Sequence, residues 1–300
     1  MADSRSFCVR LGLGNISPVE LARRTWRKTV EHELLTRASA AAYYALTAFV
    51  PFLAVLMTLT ALLAPDVNGP PGSRGAIGGQ SVKEFRETLS SLLPREAYEV
   101  VAGEIARLQK QPPVGLLSLG LAVSLWLASS FSGAIIDALN RIHGVTETRS
   151  YVVLTLTTIG LTMLEAVIML GTLVALVVWP QVSAWLGGTR AAGFGAEAGR
   201  WLAVGLGVFL CIDATSHLGP NVRRPWKWIT PGSVLGTVLV LASGIVLRCY
   251  VHIFGNYGKT YGSLGGVMLL SFWFWIATLV VLIAAQINKI LEDEEEGLAP

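Results

Sequence analysis

Residues 151–179 read YVVLTLTTIGLTMLEAVIMLGTLVALVVW, an apolar run interrupted by one carboxylate, Glu165. At about 1.5 Å per helical residue the run is longer than the roughly 30 Å hydrocarbon core of a bilayer. A backbone crossing lipid must satisfy its own hydrogen bonds, so the run is read as a membrane-spanning helix. Comparable runs occupy 38–64, 114–136, 201–218, 232–254 and 264–288. The expected fold is all-α, a polytopic membrane helical bundle with six transmembrane helices. The fourth run is the shortest and most polar, carrying Asp213, Thr215, Ser216 and His217 near its end, and is expected to be tilted or broken.

Composition agrees. Of 300 residues, 53% are hydrophobic and 14% charged, with a mean hydropathy of +0.57, which excludes a soluble protein of ordinary make-up. Residues 1–15 hold no apolar stretch of signal-peptide length, so the first span is expected to be retained. The three cysteines, Cys8, Cys211 and Cys249, are odd in number and lack CxxC spacing, which indicates neither a disulfide framework nor a zinc site.

Orientation follows from basic residues, which resist translocation. Arg23, Arg24, Arg27, Lys28 and Arg37 precede the first span, whereas only Arg74 and Lys83 follow it closely. With six spans, Arg141 and Arg149, then Arg223, Arg224 and Lys227, and finally Lys289 fall on the same side as the N-terminus, the expected cytoplasmic side. The resulting plan is a cytoplasmic segment 1–37, a membrane domain 38–288 with an outer loop at 65–113, and an acidic cytoplasmic tail 289–300. Val19, Ala22, Trp26, Val30 and Leu34 form an apolar stripe among the first basic residues, an interfacial helix drawn to anionic lipid. The outer loop opens on a Gly- and Pro-rich linker. Val82, Phe85, Leu89, Leu92 and Leu93, then Ala97, Val101, Ile105 and Leu108, predict two amphipathic helices within it.

Ionisable groups inside a membrane are costly and need partners. The deep candidates are Glu165 in the third span and Arg248 in the fifth. Both spans run from inside to outside, and both residues lie about 21 to 24 Å from the inner surface at helical rise. They are expected to pair or to line one hydrated cavity; a static ion pair fixing helix register is the alternative. Asp213 and His217, four apart and so on one helix face, form a second cluster, either a proton relay or a helix-end hydrogen bond. The four histidines are scattered, and no HExxH, P-loop or GxSxG pattern occurs. No catalytic residue, metal site, cofactor or nucleic-acid surface is therefore expected. The expected partners are membrane lipids and a transported substrate, with a homo-oligomer also compatible.

Four stretches carry a likeness. They are Ala42-Tyr43-Tyr44-Ala45-Leu46-Thr47-Ala48-Phe49-Val50-Pro51, Asp137-Ala138-Leu139-Asn140-Arg141-Ile142-His143-Gly144, Gly219-Pro220-Asn221-Val222-Arg223-Arg224-Pro225-Trp226 with Pro231-Gly232, and Thr260-Tyr261-Gly262-Ser263-Leu264-Gly265-Gly266. In these the chain resembles the YihY/BrkB family of bacterial inner-membrane proteins, some of which carry a ribonuclease BN label. The resemblance implies six spans, a short inner loop at 137–144, and an association with envelope integrity or virulence. It also implies a transporter without a settled substrate. Where the family often has Gly-Ala-Glu before a terminal Asn, this chain has Ala284-Ala285-Gln286-Ile287-Asn288, so no charged role passes to Gln286. Tyr43 and Tyr44 would place hydroxyls in the bundle, Pro51 would kink the first span, and Tyr261-Gly262-Ser263 would unwind the start of the last; packing accounts for all three equally well. The leading expectation is a transporter or lipid translocase, and the runner-up a non-transporting envelope scaffold.

Overall fold

A computed structural model describes the backbone of residues 16–63, 98–99, 102–103, 119–185, 190–222, 229–253 and 263–297. Side chains are described for 16–49, 98–99, 102–103, 125–176, 198–222, 229–249 and 265–297. Helices make up its regular structure: α1 Pro18–Glu31, α2 Leu34–Leu63, α3 Leu119–Ile142, α4 Tyr151–Trp185, α5 Arg190–Leu218, α6 Pro231–Ile253 and α7 Ser263–Glu295. There is no strand among the described residues. The predicted outer-loop helices lie outside them, apart from helical backbone at 98–99 and 102–103.

Each of α2 to α6 packs on its successor, and α7 returns to α2, closing a ring. Close contacts show the direction. Thr215 meets Glu165 while a side chain at Gly207 would meet Thr172, so α4 and α5 are antiparallel. Gly232 meets Asn288 and Gly236 meets Ala284, giving the same relation for α6 and α7.

Among the described residues, four helices contain stretches long and apolar enough to cross a membrane: Tyr151–Leu176, Ala198–Leu218, Pro231–Cys249 and Gly265–Glu295. Within their spanning windows only 22% to 33% of residues are buried in protein, so most of this apolar surface faces outward. Lipid accepts such a surface and water does not. The molecule is an integral, multi-pass helical membrane protein.

Among the described residues, the largest buried apolar cluster sits at one end of the ring. Leu34, Ala38 and Ala41 of α2 pack with Ile135, Ala138, Leu139 and Ile142 of α3 and with Leu282 and Ala285 of α7. Small residues at Ala38, Ala41, Ala42, Ala45 and Ala48 let α2 approach its neighbours closely. Burial then falls along the helices: in α5 residues 212–216 are buried but 201–206 are half-buried or exposed, and in α7 residues 284–288 are buried but 271–277 are not.

Helix α1 begins at an N-cap, Ser17, whose hydroxyl accepts the Glu20 N–H at 3.2 Å, with Pro18 at the first helical position. Its Leu21, with Ile16, packs on Ile287, Ile290 and Leu291 of α7, and Arg24 bridges to Glu294 at 3.2 Å. Val19, Trp26 and Val30 stay exposed on another face. Leu34, predicted to belong to that stripe, instead opens α2 and is fully buried.

Three predicted boundaries change. The inner loop expected at 137–144 is helix as far as Ile142, because Ala138, Leu139 and Ile142 still bury one face while Asp137 and Arg141 stay outside. The fourth span is not short: α5 is continuous over 29 residues. The acidic tail continues α7 to Glu295, supported by a Lys289–Asp293 pair at 2.6 Å and by the packing of α1.

Candidate functional site

Glu165 sits midway along α4, on the flank that meets α5. Helical side chains lean toward the N-terminus of their own helix. Because the two helices are antiparallel, the Glu165 carboxylate and the Thr215 hydroxyl lean toward each other, and their oxygens meet at 2.7 Å. The same hydroxyl lies 2.7 Å from the Cys211 carbonyl oxygen one turn earlier. Protein atoms enclose Glu165 closely, yet the residue keeps accessible surface, at the level where the tight core gives way to the looser half. Below it, Ser132 of α3 and Thr162 of α4 share a buried hydrogen bond at 2.8 Å.

Arg248 lies near the far end of α6, exposed on that helix. Helix α5 stands between α4 and α6 in the ring, so Glu165 finds its partner on α5 and the structure does not bring Arg248 to it. Asp213, also on α5, is buried and accepts a long hydrogen bond from Ser233 of α6 at 3.5 Å; His217, one turn on, is half-buried.

At the core end, two polar clasps join residues far apart in the chain. In the first, the Asn140 side-chain oxygen accepts the Asn221 backbone N–H at 2.7 Å, while its amide nitrogen donates to Glu147 at 2.8 Å. Glu147 holds Arg149 through two side-chain hydrogen bonds, at 2.8 and 2.7 Å, and one from its backbone N–H at 3.0 Å, and Arg149 also donates to the Gly219 carbonyl at 2.9 Å. Asn221 reaches back to Thr148 at 2.8 Å, and Pro220 is buried between. In the second clasp, Gly232 N–H donates to the Asn288 side chain at 2.7 Å, and Asn288 donates to Thr230 at 2.9 Å. Thr230 caps α6 by accepting the Ser233 N–H at 3.1 Å, with Pro231 at the first helical position. A third tie joins the α1–α2 turn to α7, where His32 Nδ1–H donates to Gln286 at 2.9 Å. Burial holds the His32 ring below its usual range, and thus neutral at pH 7.

The Arg149 side chain, with its backbone N–H and the Asn140 amide, holds the Glu147 carboxyl down at about 2, against an ordinary 4.5. The folded value is depressed, so this clasp contributes stability fully present above about pH 4.5 and lost as pH falls from there toward 2. Protection of the Arg149 and Asn221 amides, measured against the intrinsic exchange rate at each pH, should therefore fall over that window. Glu147→Gln should remove this pH dependence of protection and leave it low throughout.

Tyr43 and Tyr44 stack edge-on at 5.6 Å but point outward, 65% and 40% exposed, opposite the alanine face of α2. The expectation that they place hydroxyls in the bundle is corrected accordingly: the alanines take the inward arc and leave the tyrosines the other. Helix α2 runs on through Pro51, whose side chain lies outside the described residues, as do Tyr261 and Gly262; Ser263 opens α7. Among the described residues no group of three or more His, Cys, Asp and Glu is placed to hold a metal ion. Thr215, Thr230, Ser233 and Glu147 are site residues that the sequence pattern does not mark, although Thr230 before Pro231 is a recognisable cap-and-proline helix start.

A ring of apolar helices with polar clasps at one end and a carboxylate in its middle defines a multi-pass membrane protein with an internal polar site. The chain belongs to the virulence factor BrkB family, whose model matches residues 25–300. It is similar to YfkH of Bacillus subtilis (strain 168), a protein named as ribonuclease-like, with 27% identity over 273 residues, 88% of this chain and 92% of that one. A UPF0761 membrane protein of Stenotrophomonas maltophilia (strain K279a) is 28% identical over 103 residues, covering 32% of this chain and 24% of its own length. Another, from Tolumonas auensis, is 31% identical over 72 residues, 24% of each chain. No solved structure matches significantly.

Proposed function

We propose that this protein is a transporter or a lipid and amphiphile translocase of the bacterial inner membrane, linked to the cell envelope. It crosses six times, with residues 1–37 and 289–300 in the cytoplasm and 65–113 outside. The basic residues before α2, after α3 and before α6 support that orientation. The observation that carries the function is Glu165: a carboxylate midway along an apolar helix, partnered by a neutral hydroxyl and keeping accessible surface. A scaffold whose polar residues only lock helices would seal this group or neutralise it with a fixed cation. A carboxylate held by a hydroxyl can exchange a proton or cation at far less cost. The protein is non-enzymatic in this account, acting on membrane lipids or a transported substrate without a cofactor.

The test is flux in reconstituted vesicles, over a panel of labelled phospholipids and charged solutes. Native protein should exceed empty vesicles for at least one of them. Glu165→Gln should lose at least about tenfold, the factor that roughly 1.4 kcal/mol of lost interaction produces. Arg248→Ala should retain flux if Arg248 acts away from this carboxylate. Equal flux in native and Glu165→Gln, or none above empty vesicles, would overturn the proposal.

A further inference from the structure

One hydroxyl stands between two acceptors: Thr215 Oγ1 lies 2.7 Å from both Glu165 Oε1 and the Cys211 carbonyl oxygen. A threonine hydroxyl carries a single proton and donates once. If Glu165 is ionised, Thr215 donates to it and the contact with the Cys211 carbonyl carries no proton. If Glu165 is protonated, its O–H donates to Thr215 Oγ1 and Thr215 donates onward to Cys211, so both short contacts become hydrogen bonds. With Glu165 ionised, the single Thr215 proton is shared between two acceptors; with Glu165 protonated, each short contact has a proton of its own. When Glu165 gains or loses its proton, rotating one C–O bond of Thr215 completes the change.

We propose that Glu165 is a proton-binding site, with Thr215 as the hydroxyl switch that holds either protonation state. Its use in driving transport rests on the reading above; the site itself does not. On protonation, Oε1 takes a proton from hydronium and leaves water behind, the Thr215 hydroxyl proton swings from Oε1 to the Cys211 carbonyl, and no covalent bond between heavy atoms changes. A sodium ion fits poorly, because hard cations call for several oxygen ligands and this site offers a carboxylate, one hydroxyl and a carbonyl already engaged in the helix. Other charges stand apart. Helix α3 has no ionisable residue from 119 to 136, and α2 has only Tyr43 and Tyr44 from 38 to 63, both facing outward. On α5, Cys211 lies one turn before Thr215, Asp213 turns to Ser233 of α6, and His217 is half-buried two residues on. Helix α4 itself adds only Tyr151 at its start.

Infrared difference spectroscopy of the full chain in lipid nanodiscs, titrated with acid and base, tests this. Native protein should show a protonated-carboxyl carbonyl band near neutral pH that bleaches on alkalinisation and is absent from Glu165→Gln. Thr215→Val should keep the band but shift it to higher frequency, since the acid loses its acceptor, and Thr215→Ser should restore the native frequency. Carbon-13 labelling of glutamate in the native chain should move the band, which keeps the assignment secure if Glu165→Gln misfolds. No such band near neutral pH, or one indifferent to both Thr215 variants, overturns the proposal; a band that sodium removes at fixed pH does so in favour of cation binding. A normal band with no flux above empty vesicles would leave the proton site standing and sink transport, and flux with Glu165 ionised throughout would do the reverse.

Discussion

Gly232→Ala should destabilise the bundle by about 3 kcal/mol, enough to shift the folded ratio more than a hundredfold. Near the start of α6, Gly232 lies against α7 so closely that an added Cβ would overlap the Ala284 carbonyl oxygen and the Asn288 side chain. Neither can yield: the first is helix backbone, and the second is 8% exposed and already bonded to Gly232 N–H and Thr230. Overpacking of this kind costs about 1 to 3 kcal/mol. Parting α6 from α7 adds a penalty of about 1 to 3 kcal/mol for buried groups left without partners. Gly171→Ala is the control, because a Cβ there meets nothing within 4 Å and an alanine suits a helix better. Denaturant titration of the purified protein in mixed micelles, followed by tryptophan fluorescence, should show a large drop for the first and none for the second.

The second large effect is expected at Asn140. Its side chain uses both ends, accepting from Asn221 N–H at 2.7 Å and donating to Glu147 at 2.8 Å, and it is 5% exposed. Asn140→Ala leaves the Asn221 amide unpaired and frees Glu147 from one of its three partner groups. A loss of about 2 kcal/mol follows from a buried donor without an acceptor. The effect should be local, with hydrogen exchange quickening across 145–150 and 219–222 while α6 and α7 stay protected. Asn221→Ala removes a side chain from the same clasp, so the double variant should cost less than the sum of the singles.

How far these features were legible in the sequence differs by feature. The membrane-spanning helical character was plain, because lipid demands long apolar runs, and four of the expected runs recur as candidate spans among the described residues. Their ends were not. Hydropathy stops at Ile136, yet α3 continues to Ile142, since Ala138, Leu139 and Ile142 still pack although Asp137, Asn140 and Arg141 lower the average. The same holds at Ile290 and Leu291, buried against α1 beneath an acidic surface. Glu165 stood out at once, being the single carboxylate in its run. Its partner did not, because matching depths along two helices cannot tell which helices are neighbours. The charge-for-charge expectation favoured Arg248, whereas α5 lies between and offers a threonine. The resemblance motifs were visible as strings, but their purpose emerges only in space: Asn140 with Pro220 and Asn221, and Gly232 with Asn288, close two clasps at one end of the ring.

The central claim is that a carboxylate deep in the membrane remains within reach of water. Glu165→Cys, in a chain whose Cys8, Cys211 and Cys249 are replaced by alanine, should react with a membrane-impermeant thiol reagent added to one side of sealed vesicles. A cysteine substituted at Leu161, one turn earlier and 3% exposed, should not react. Labelling at 165 from one face, with position 161 silent, is the predicted result; position 165 as silent as 161 from both faces would contradict the account.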